Sequence, residues 1–514
     1  MSKDVFYITT PIYYLNDVPH IGHAYTTVAA DFVARYHRLA GEKVFFLTGT
    51  DEHGEKVARA AEAKGLGPQE WCDQLVLRWH EVWDRLAISH DDFIRTTEPR
   101  HMGPVQALVQ KVYDKGDIYL GEYEGPYCVS CEAFYQPSEI VDGLCPIHEK
   151  PVEMIKEENY FFRLSAYQDR LLALYEEQPD WVRPDVRRNE VIGFVKGGLA
   201  DLSISRTSFS WGVPIPWDPK HVMYVWIDAL QNYTTVVGQG TDEARFASSW
   251  PADYHFIGKD ILRQHAVIWP AFLMAAGIEL PRCVFAHGYL TVGGKKMSKT
   301  NLTGISPHTL VDTFGVDGYR YHFLREGTFG QDGAFSWEAM LARYNADLAN
   351  DLGNLVSRSL AMVVSYRNGV VPGAGEITSA EDALRISAQS AREELDRGVR
   401  ALDLGGALAG IFRFVADVNH YIDAAAPWKL AKDPDQSARL DSVLNSICEA
   451  IRHLSILISP AMPGAAERIR EQLGVSATDD RPLDEALAWG GLLEGTKVSR
   501  GESIFPRVEA DTQD

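Results

Sequence analysis

Two short apolar runs, "VFYIT" (Val5–Thr9) and "VFFLT" (Val44–Thr48), flank a stretch in which Val28, Phe32, Tyr36 and Leu39 recur at helical spacing. Strands this apolar along their whole length suit burial on both faces, the condition of a parallel sheet covered by helices. Gly41 is placed to stop the intervening helix. Strand, helix and strand in that order form a βαβ unit, and its right-handed crossover leads to an α/β fold of the Rossmann type, a doubly wound parallel sheet.

The pattern is then interrupted. From residue 116 to about 220 Gly, Tyr, Glu and Pro become frequent and three of the chain's six cysteines cluster. Strand-like runs resume at "VMYVWIDAL" (Val222–Leu230), "YHFIGKD" and "CVFAHGYLTV". The simplest account is one α/β domain split by a connective insertion: first half 1–115, insertion 116–220, second half 221–290. A loop region, 291–345, follows, and almost everything over 346–514 is helix-patterned, which predicts a separate helical domain. A chain of 514 residues can bury several such cores.

No apolar run reaches the roughly 18 residues of a membrane span, and "MSKDVFYITT" enters a strand pattern with no signal-peptide architecture. A cytoplasmic protein without membrane contact is expected. A net charge of −21 opposes bulk attraction to nucleic acid. Arg183, Arg187, Arg188, Lys196 and Arg206 nevertheless make a locally basic stretch, either a solvated face or a surface that meets phosphates.

Six cysteines in a chain of this length do not make a disulfide framework, and Cys72, Cys283 and Cys448 read as buried thiols. The others form Cys128-x2-Cys131, thirteen residues, then Cys145-x2-His148. Two knuckles at this spacing point to one structural Zn2+, closed tetrahedrally by three thiolates and an imidazole with no position left for catalysis.

"PHIGHAYT" places His20, Gly22 and His23 where the first strand hands over to its helix, at the ligand-binding end of a doubly wound sheet. Backbone N–H groups and the helix dipole there can cradle phosphate, and Gly22 leaves room for a nucleotide to approach the backbone. The two imidazoles add hydrogen bonds that can strengthen as phosphate charge builds up. A metal pair is the weaker alternative, since no carboxylate stands beside it as in H-E-x-x-H. About 275 residues on, Lys295-Lys296-Met297-Ser298-Lys299-Thr300 follows "GYLTVGG", a strand ending in glycines, a loop suited to neutralising a leaving pyrophosphate.

"HIGH" and "KMSKT" together resemble the two signatures of class I aminoacyl-tRNA synthetases, HIGH and KMSKS, with threonine in the last place keeping the hydroxyl. "TTPIYYLNDVPHIGHAYT", "FLTGTDEHGEK", "VWIDALQNY" and "HFIGKDILRQHAVIWP" look like methionyl-tRNA synthetases in particular, and the likeness runs from about residue 5 to about 430. It implies an enzyme that activates L-methionine with ATP to methionyl-adenylate and pyrophosphate, then transfers methionine to the 3′-terminal adenosine of tRNA(Met). Carried over position by position, it implies a methionine pocket of Ile12, Tyr14, Trp226, Ala229, Leu230, Tyr233, Ile261 and His265. Tyr14 and His265 would bracket the sulfur, and Asp51 would hold the α-amino group. It also implies that Lys259 and Asp260 meet the nucleotide, that Arg206 lies near the reacting carboxylate and phosphate, and that His20 and His23 bind ATP phosphates. Lys296 and Lys299 would then steady the transition state. Mg2+ would accompany ATP, and zinc in the insertion agrees with the resemblance.

Asn350, Asn354 and Arg358 recur every four residues, on one helix face. The resemblance implies that they, with Pro427-Trp428, read the CAU anticodon while the insertion meets the acceptor end. The chain stops soon after "SRGESIFPRVE", and a monomer is expected. Synthetases for isoleucine, leucine or valine resemble it less, because they need a large editing insertion to make single-methylene distinctions. A non-catalytic tRNA-binding descendant would have lost the His pair or the lysine loop.

Overall fold

The computed structural model describes residues 3–128, 133–134, 140, 142–146, 150–292, 295–296, 306–476 and 481–509. By packing, the chain divides into two units. The first comprises Met1–Pro19, Lys43–Val82 and His90–His287; the second comprises His20–Glu42, Trp83–Ser89 and Gly288–Asp514.

At the centre of the first unit is a six-stranded sheet, all parallel. Its spatial order is Asp92–Arg95, Val44–Asp51, Phe6–Tyr14, Tyr254–Gly258, Val284–His287 and Val182–Arg183. Val44–Asp51 and Asp92–Arg95 are added outward on one side of Phe6–Tyr14, and Tyr254–Gly258 and Val284–His287 later on the other, inside the earlier edge strand Val182–Arg183. The order reverses at Phe6–Tyr14, and ligands of such sheets bind outside the carboxyl ends at that reversal. The first strand is longer than its apolar run predicts. Pro11 cannot donate to a ladder, and the register shifts between Thr9 and Ile12, but a bulge carries the strand on to Tyr14. Pairing with Tyr254–Gly258 ends at Thr9↔His255, while pairing with Val44–Asp51 continues to Tyr14↔Asp51. The sheet therefore splits at its carboxyl end beyond Thr9. Tyr7, Leu47, Ile94, Trp181, Phe272 and Val284 are among the buried side chains that hold it together.

Inserted in this unit is an antiparallel sheet of Ala133–Phe134, Ile118–Cys128, Glu153–Phe162 and Leu202–Ser203, in that order. A smaller one joins Pro214–Ile215, Asp218–Met223 and Ser205–Arg206. "VMYVWIDAL" departs from the strand its composition predicts. Only Val222 and Met223 are in a strand; the rest turns into a helix, Val225–Ala229, followed by another, Asn232–Thr235. A short apolar run reads the same in a buried strand and a buried helix.

The second unit is mainly helical. Ile21–Leu39 is the helix expected after the first strand, and Gly41 follows its cap with φ +84°, a value glycine takes without strain. Its Asp31, fully buried, pairs with the equally buried Arg320 of helix Pro307–Arg325 at 2.6 Å. The backbone N–H and hydroxyl of Ser89 also donate to Asp31, and Arg320 donates to the carbonyls of Ala461, Pro460 and Leu86. Burial disfavours both charges, and these additional hydrogen bonds satisfy them. A small sheet orders Lys295–Lys296, Leu290–Val292 and Gly333–Phe335. Trp337–Arg343, Tyr344–Gly353 and Asn354–Arg367 then run on as one continuous helical path, the middle piece wound as a π-helix. Helices Ser379–Ala401, Leu404–Ala425, Ser437–Leu457 and Pro463–Leu473 complete the unit. No helix among the described residues is long and apolar enough to cross a membrane.

Candidate active site and anticodon face

In the first unit, Ile12 and Tyr14 lie two apart beyond the bulge and so share one face of the first strand. Tyr14 is in register with Asp51, the last residue of the neighbouring strand. The Tyr14 hydroxyl donates to the His53 carbonyl at 2.9 Å, and the Lys56 ammonium lies 5.2 Å from its ring centroid. The segment after Asp51 is tied down by Glu52, whose buried carboxylate accepts from Arg95 at 2.7 and 3.0 Å and from the Thr50 and Thr97 hydroxyls.

The other residues expected in the methionine pocket come from three short pieces of the same unit. Helix Val225–Ala229 carries half-buried Trp226 and buried Ala229, with Leu230 as its cap; helix Asn232–Thr235 carries buried Tyr233. Ile261 ends the tight turn Lys259–Ile261 after strand Tyr254–Gly258, and His265 lies on the π-helical segment Gln264–Ile268. Such segments recur at functional sites. His265 Nδ1 lies 2.9 Å from the Ile261 carbonyl, which can only accept, so the proton sits on Nδ1 and Nε2 accepts from the Tyr233 hydroxyl at 2.8 Å. Burial pushes the His265 pKa down to about 4, against the opposing pull of the Ile261 carbonyl, and the ring is neutral at pH 7. Trp226 stands edge-on to it at 6.1 Å.

Lys259 is half-buried and Asp260 exposed. A Cβ on Gly258 would lie 2.5 Å from Asp260 Oδ1, so glycine lets that carboxylate fold back over the strand end. Arg206 is buried in the insertion. Its guanidinium donates to the Ser205 carbonyl at 2.7 Å and to Ser203, and lies 4.8 Å from the Tyr224 ring, one residue before the Trp226 helix begins.

In the second unit, His20 caps helix Ile21–Leu39. Its Nδ1 accepts from the Gly22 N–H at 3.1 Å, and His23 Nδ1 accepts from the His20 N–H at 3.3 Å, a reciprocal capping box built from two imidazoles. The rings stack at 3.6 Å. With both Nδ1 lone pairs accepting, each neutral ring carries its proton on Nε2. Gly22 has a reason beyond the one the sequence suggests. A Cβ there would come within 2.9 Å of His20 Cε1, so glycine makes room for the capping ring itself, and its N–H is already engaged by that ring. The Lys295–Lys296 strand pairs antiparallel with Leu290–Val292, which gives Lys296 its backbone position; Lys299 lies outside the described residues.

Of the four proposed zinc ligands, Cys128 and Cys145 are each 1% exposed and pack together with Ile140 and Val152 in a small cluster of their own. The Cys145 N–H donates to the Lys150 carbonyl at 2.8 Å, beside the Leu144↔Pro151 bridge. Cys131 and His148 lie outside the described residues. Paired buried thiols away from the main core suit a structural metal.

Asn350 and Asn354 are exposed; the first lies on the π-helical piece and the second opens the α-helix Asn354–Arg367. Arg358 is half-buried and donates to Asp423 Oδ1 at 3.0 Å and to Asn419 Oδ1 at 2.8 Å, both on helix Leu404–Ala425. Ala426 turns the chain at φ +47°, and Pro427–Leu430 presents Trp428 with 39% of its surface exposed.

Polar partners missed from the sequence are His53, His101 and Asp228. The Asp228 carboxylate, 1% exposed, accepts from His53 Nδ1 at 2.6 Å and His101 Nε2 at 2.8 Å. Burial alone would raise its pKa, but the two imidazoles outweigh burial and hold it down to about 2. A carboxylate inside the apolar "VWIDAL" was the available signal, since a buried charge needs partners.

A family profile described as tRNA synthetases class I (M) matches residues 6–152 and 135–360, and one described as the anticodon binding domain of methionyl tRNA ligase matches residues 371–514. A methionine–tRNA ligase of Streptomyces coelicolor is 52% identical over 98% of this chain and 97% of its own length. One from Caldanaerobacter subterraneus is 50% identical over 99% of this chain and 80% of its own. Among solved structures, the Mycobacterium tuberculosis methionyl-tRNA synthetase in complex with methionyl-adenylate superposes with a TM-score of 0.94 at 46% identity. It covers 98% of this chain and 100% of that one.

Proposed function

The chain belongs to the methionyl branch of the class I tRNA synthetases and joins methionine to tRNA at the expense of ATP; from that premise we propose which of its side chains do the work. A methionine carboxylate oxygen attacks the α-phosphorus of ATP, the bond from that phosphorus to the bridging oxygen breaks, and pyrophosphate leaves. A hydroxyl of the tRNA terminal adenosine then attacks the methionyl carbonyl, and AMP leaves. Neither step needs a covalent bond to the protein, so positioning and charge stabilisation supply the catalysis.

In this reading Asp51 holds the α-amino group, and Ile12, Tyr14, Trp226, Ala229, Leu230, Tyr233, Ile261 and His265 enclose the side chain. The observation that carries the pocket is the closed run from Tyr233 through His265 to the Ile261 carbonyl. With the Tyr14 hydroxyl also committed to His53, the pocket offers ring surfaces more than polar donors. A polarizable thioether suits such rings at about 0.3–1.5 kcal/mol per contact. Lys259, Asp260 and Arg206 serve the nucleotide and the reacting carboxylate. His20 and His23 donate from Nε2 to ATP phosphates, Gly22 keeping their rings in place, and Lys296 and Lys299 steady the leaving pyrophosphate. Mg2+ arrives with the ATP.

The test is amino-acid-dependent pyrophosphate exchange across the twenty amino acids, with methionine alone expected to support it efficiently. Leucine or isoleucine working within about tenfold of methionine would defeat the pocket assignment, because a missing or extra methylene is worth about 10–200-fold.

Cys128, Cys131, Cys145 and His148 would hold a zinc ion that cross-links the insertion and supplies no chemistry. Elemental analysis is expected to find about one zinc per chain, with Cys145→Ser losing both metal and transfer activity, because ligand loss and local unfolding are coupled. A metal-free preparation that charges tRNA at full rate contradicts this. Pro427 and Trp428, with Asn350, Asn354 and Arg358, are assigned to the CAU anticodon.

A further inference from the structure

We propose that Asp228 is a positioning residue for methionine: its carboxylate, by holding His53 and His101 at once, fixes the two walls of the substrate pocket against each other. The proposal rests on the pocket reading above and adds the group that sets its geometry.

Trp226 and Ala229 lie on a five-residue helix and Tyr233 on a four-residue one. Helices this short have no stability of their own, so what ties them down decides where their side chains point. Asp228 lies two residues from Trp226, roughly 200° around the helix, so when Trp226 faces the pocket Asp228 faces into the protein. There its Oδ2 accepts from His53 Nδ1 at 2.6 Å. His53 follows Asp51 by two residues, and its carbonyl receives the Tyr14 hydroxyl. One carboxylate oxygen thus ties the Trp226 helix to the strand end that carries Tyr14 and Asp51.

The other oxygen, Oδ1, accepts from His101 Nε2 at 2.8 Å, and His101 Nδ1 lies 3.0 Å from the Thr235 hydroxyl. Thr235 is two residues past Tyr233 on the second short helix. His101 itself is fully buried on helix Pro99–Asp114, a longer and more rigid support. The tautomers follow. His101 donates from Nε2, and a neutral ring then accepts at Nδ1 from the Thr235 hydroxyl, whose other acceptor is the Asn232 carbonyl at 3.3 Å; His53 donates from Nδ1. A neutral amide in place of the carboxylate accepts one of these N–H groups but turns its own N–H toward the other, so that imidazole must switch tautomer or turn away, and the charge-assisted tie between the walls is lost.

The test compares methionine and ATP dependence in pyrophosphate exchange. Asp228→Asn is expected to raise KM for methionine by at least tenfold while KM for ATP stays within twofold. Thr235→Val, which removes the hydroxyl shared by His101 Nδ1 and the Asn232 carbonyl, is expected to raise KM for methionine two- to fivefold in a protein that still folds. If Asp228→Asn does not accumulate as folded protein, Thr235→Val decides. Equal rises in both KM values, or no rise for methionine in a folded variant, overturn the positioning role. Trp226→Ala is the control for the underlying reading. If it leaves KM for methionine unchanged, the pocket assignment fails; if it raises KM while Asp228→Asn and Thr235→Val do not, only the role of Asp228 falls.

Discussion

His23→Asn is expected to slow adenylate formation by about 10²–10³-fold, the usual cost of one lost donor at a developing charge, with methionine affinity almost unchanged. The reasoning starts from the cap. His23 Nδ1 accepts from the His20 N–H, which leaves the ring proton on Nε2. An asparagine side chain presents its carbonyl oxygen near the Nδ1 position, so it can still close the cap and the helix keeps its start. Nothing remains at the Nε2 position to donate to phosphate. His23→Gln makes the opposite trade: its amide reaches toward the Nε2 position, and the cap weakens. The asparagine variant should therefore melt like the wild type yet lose rate, whereas the glutamine variant should keep more rate at a lower Tm. Single-turnover adenylate formation, equilibrium methionine binding and a melting curve read the three quantities. A slow glutamine variant beside a fast asparagine variant would assign the donor to the wrong nitrogen and remove the phosphate role with it.

The sheet and its first helix were legible because their signals are local. A doubly apolar strand and a 3.6-residue repeat announce themselves within ten or twenty residues, and Val44–Asp51 and Ile21–Leu39 appear where the pattern put them. The extension of the first strand past Pro11 was hidden, since proline ordinarily ends a ladder and only the bulge removes the conflict. The helices at Trp226 and Tyr233 were hidden for another reason: in an uninterrupted apolar run, period two and period 3.6 look alike. The polar supports of the candidate site were the least visible. Asp228 is separated from His53 by 175 residues and from His101 by 127, and Arg358 is separated from Asp423 by 65. No spacing rule joins such partners. What the sequence offered was only that a carboxylate in an apolar stretch must have some partner.

Trp428→Ala is expected to lower kcat/KM for charging of tRNA(Met) by about 5–150-fold, the equivalent of losing one base stacked at about 1–3 kcal/mol, while pyrophosphate exchange stays unchanged. With 39% of its surface exposed, the Trp428 indole keeps a ring face open to stacking. Here it stands on the four-residue helix Pro427–Leu430, with proline at the first position and a left-handed residue just before it. Proline's fixed φ makes the start of that helix rigid, which holds the indole in place before any base arrives. Exposed Asn354 belongs to the same unit, free to turn its amide toward a base edge, whereas Arg358 is held by Asn419 and Asp423 and would have to exchange those bonds to take part. Asn354→Ala is therefore the stronger companion variant and Arg358→Ala the more ambiguous one, since it also loosens helix Leu404–Ala425. Trp428→Phe retains a stacking face and should recover most of the loss. Because splayed bases are read by stacking and edge hydrogen bonds together, a charging rate unmoved by Trp428→Ala would mean that the indole meets no base, and the anticodon would have to be read elsewhere on the helical unit.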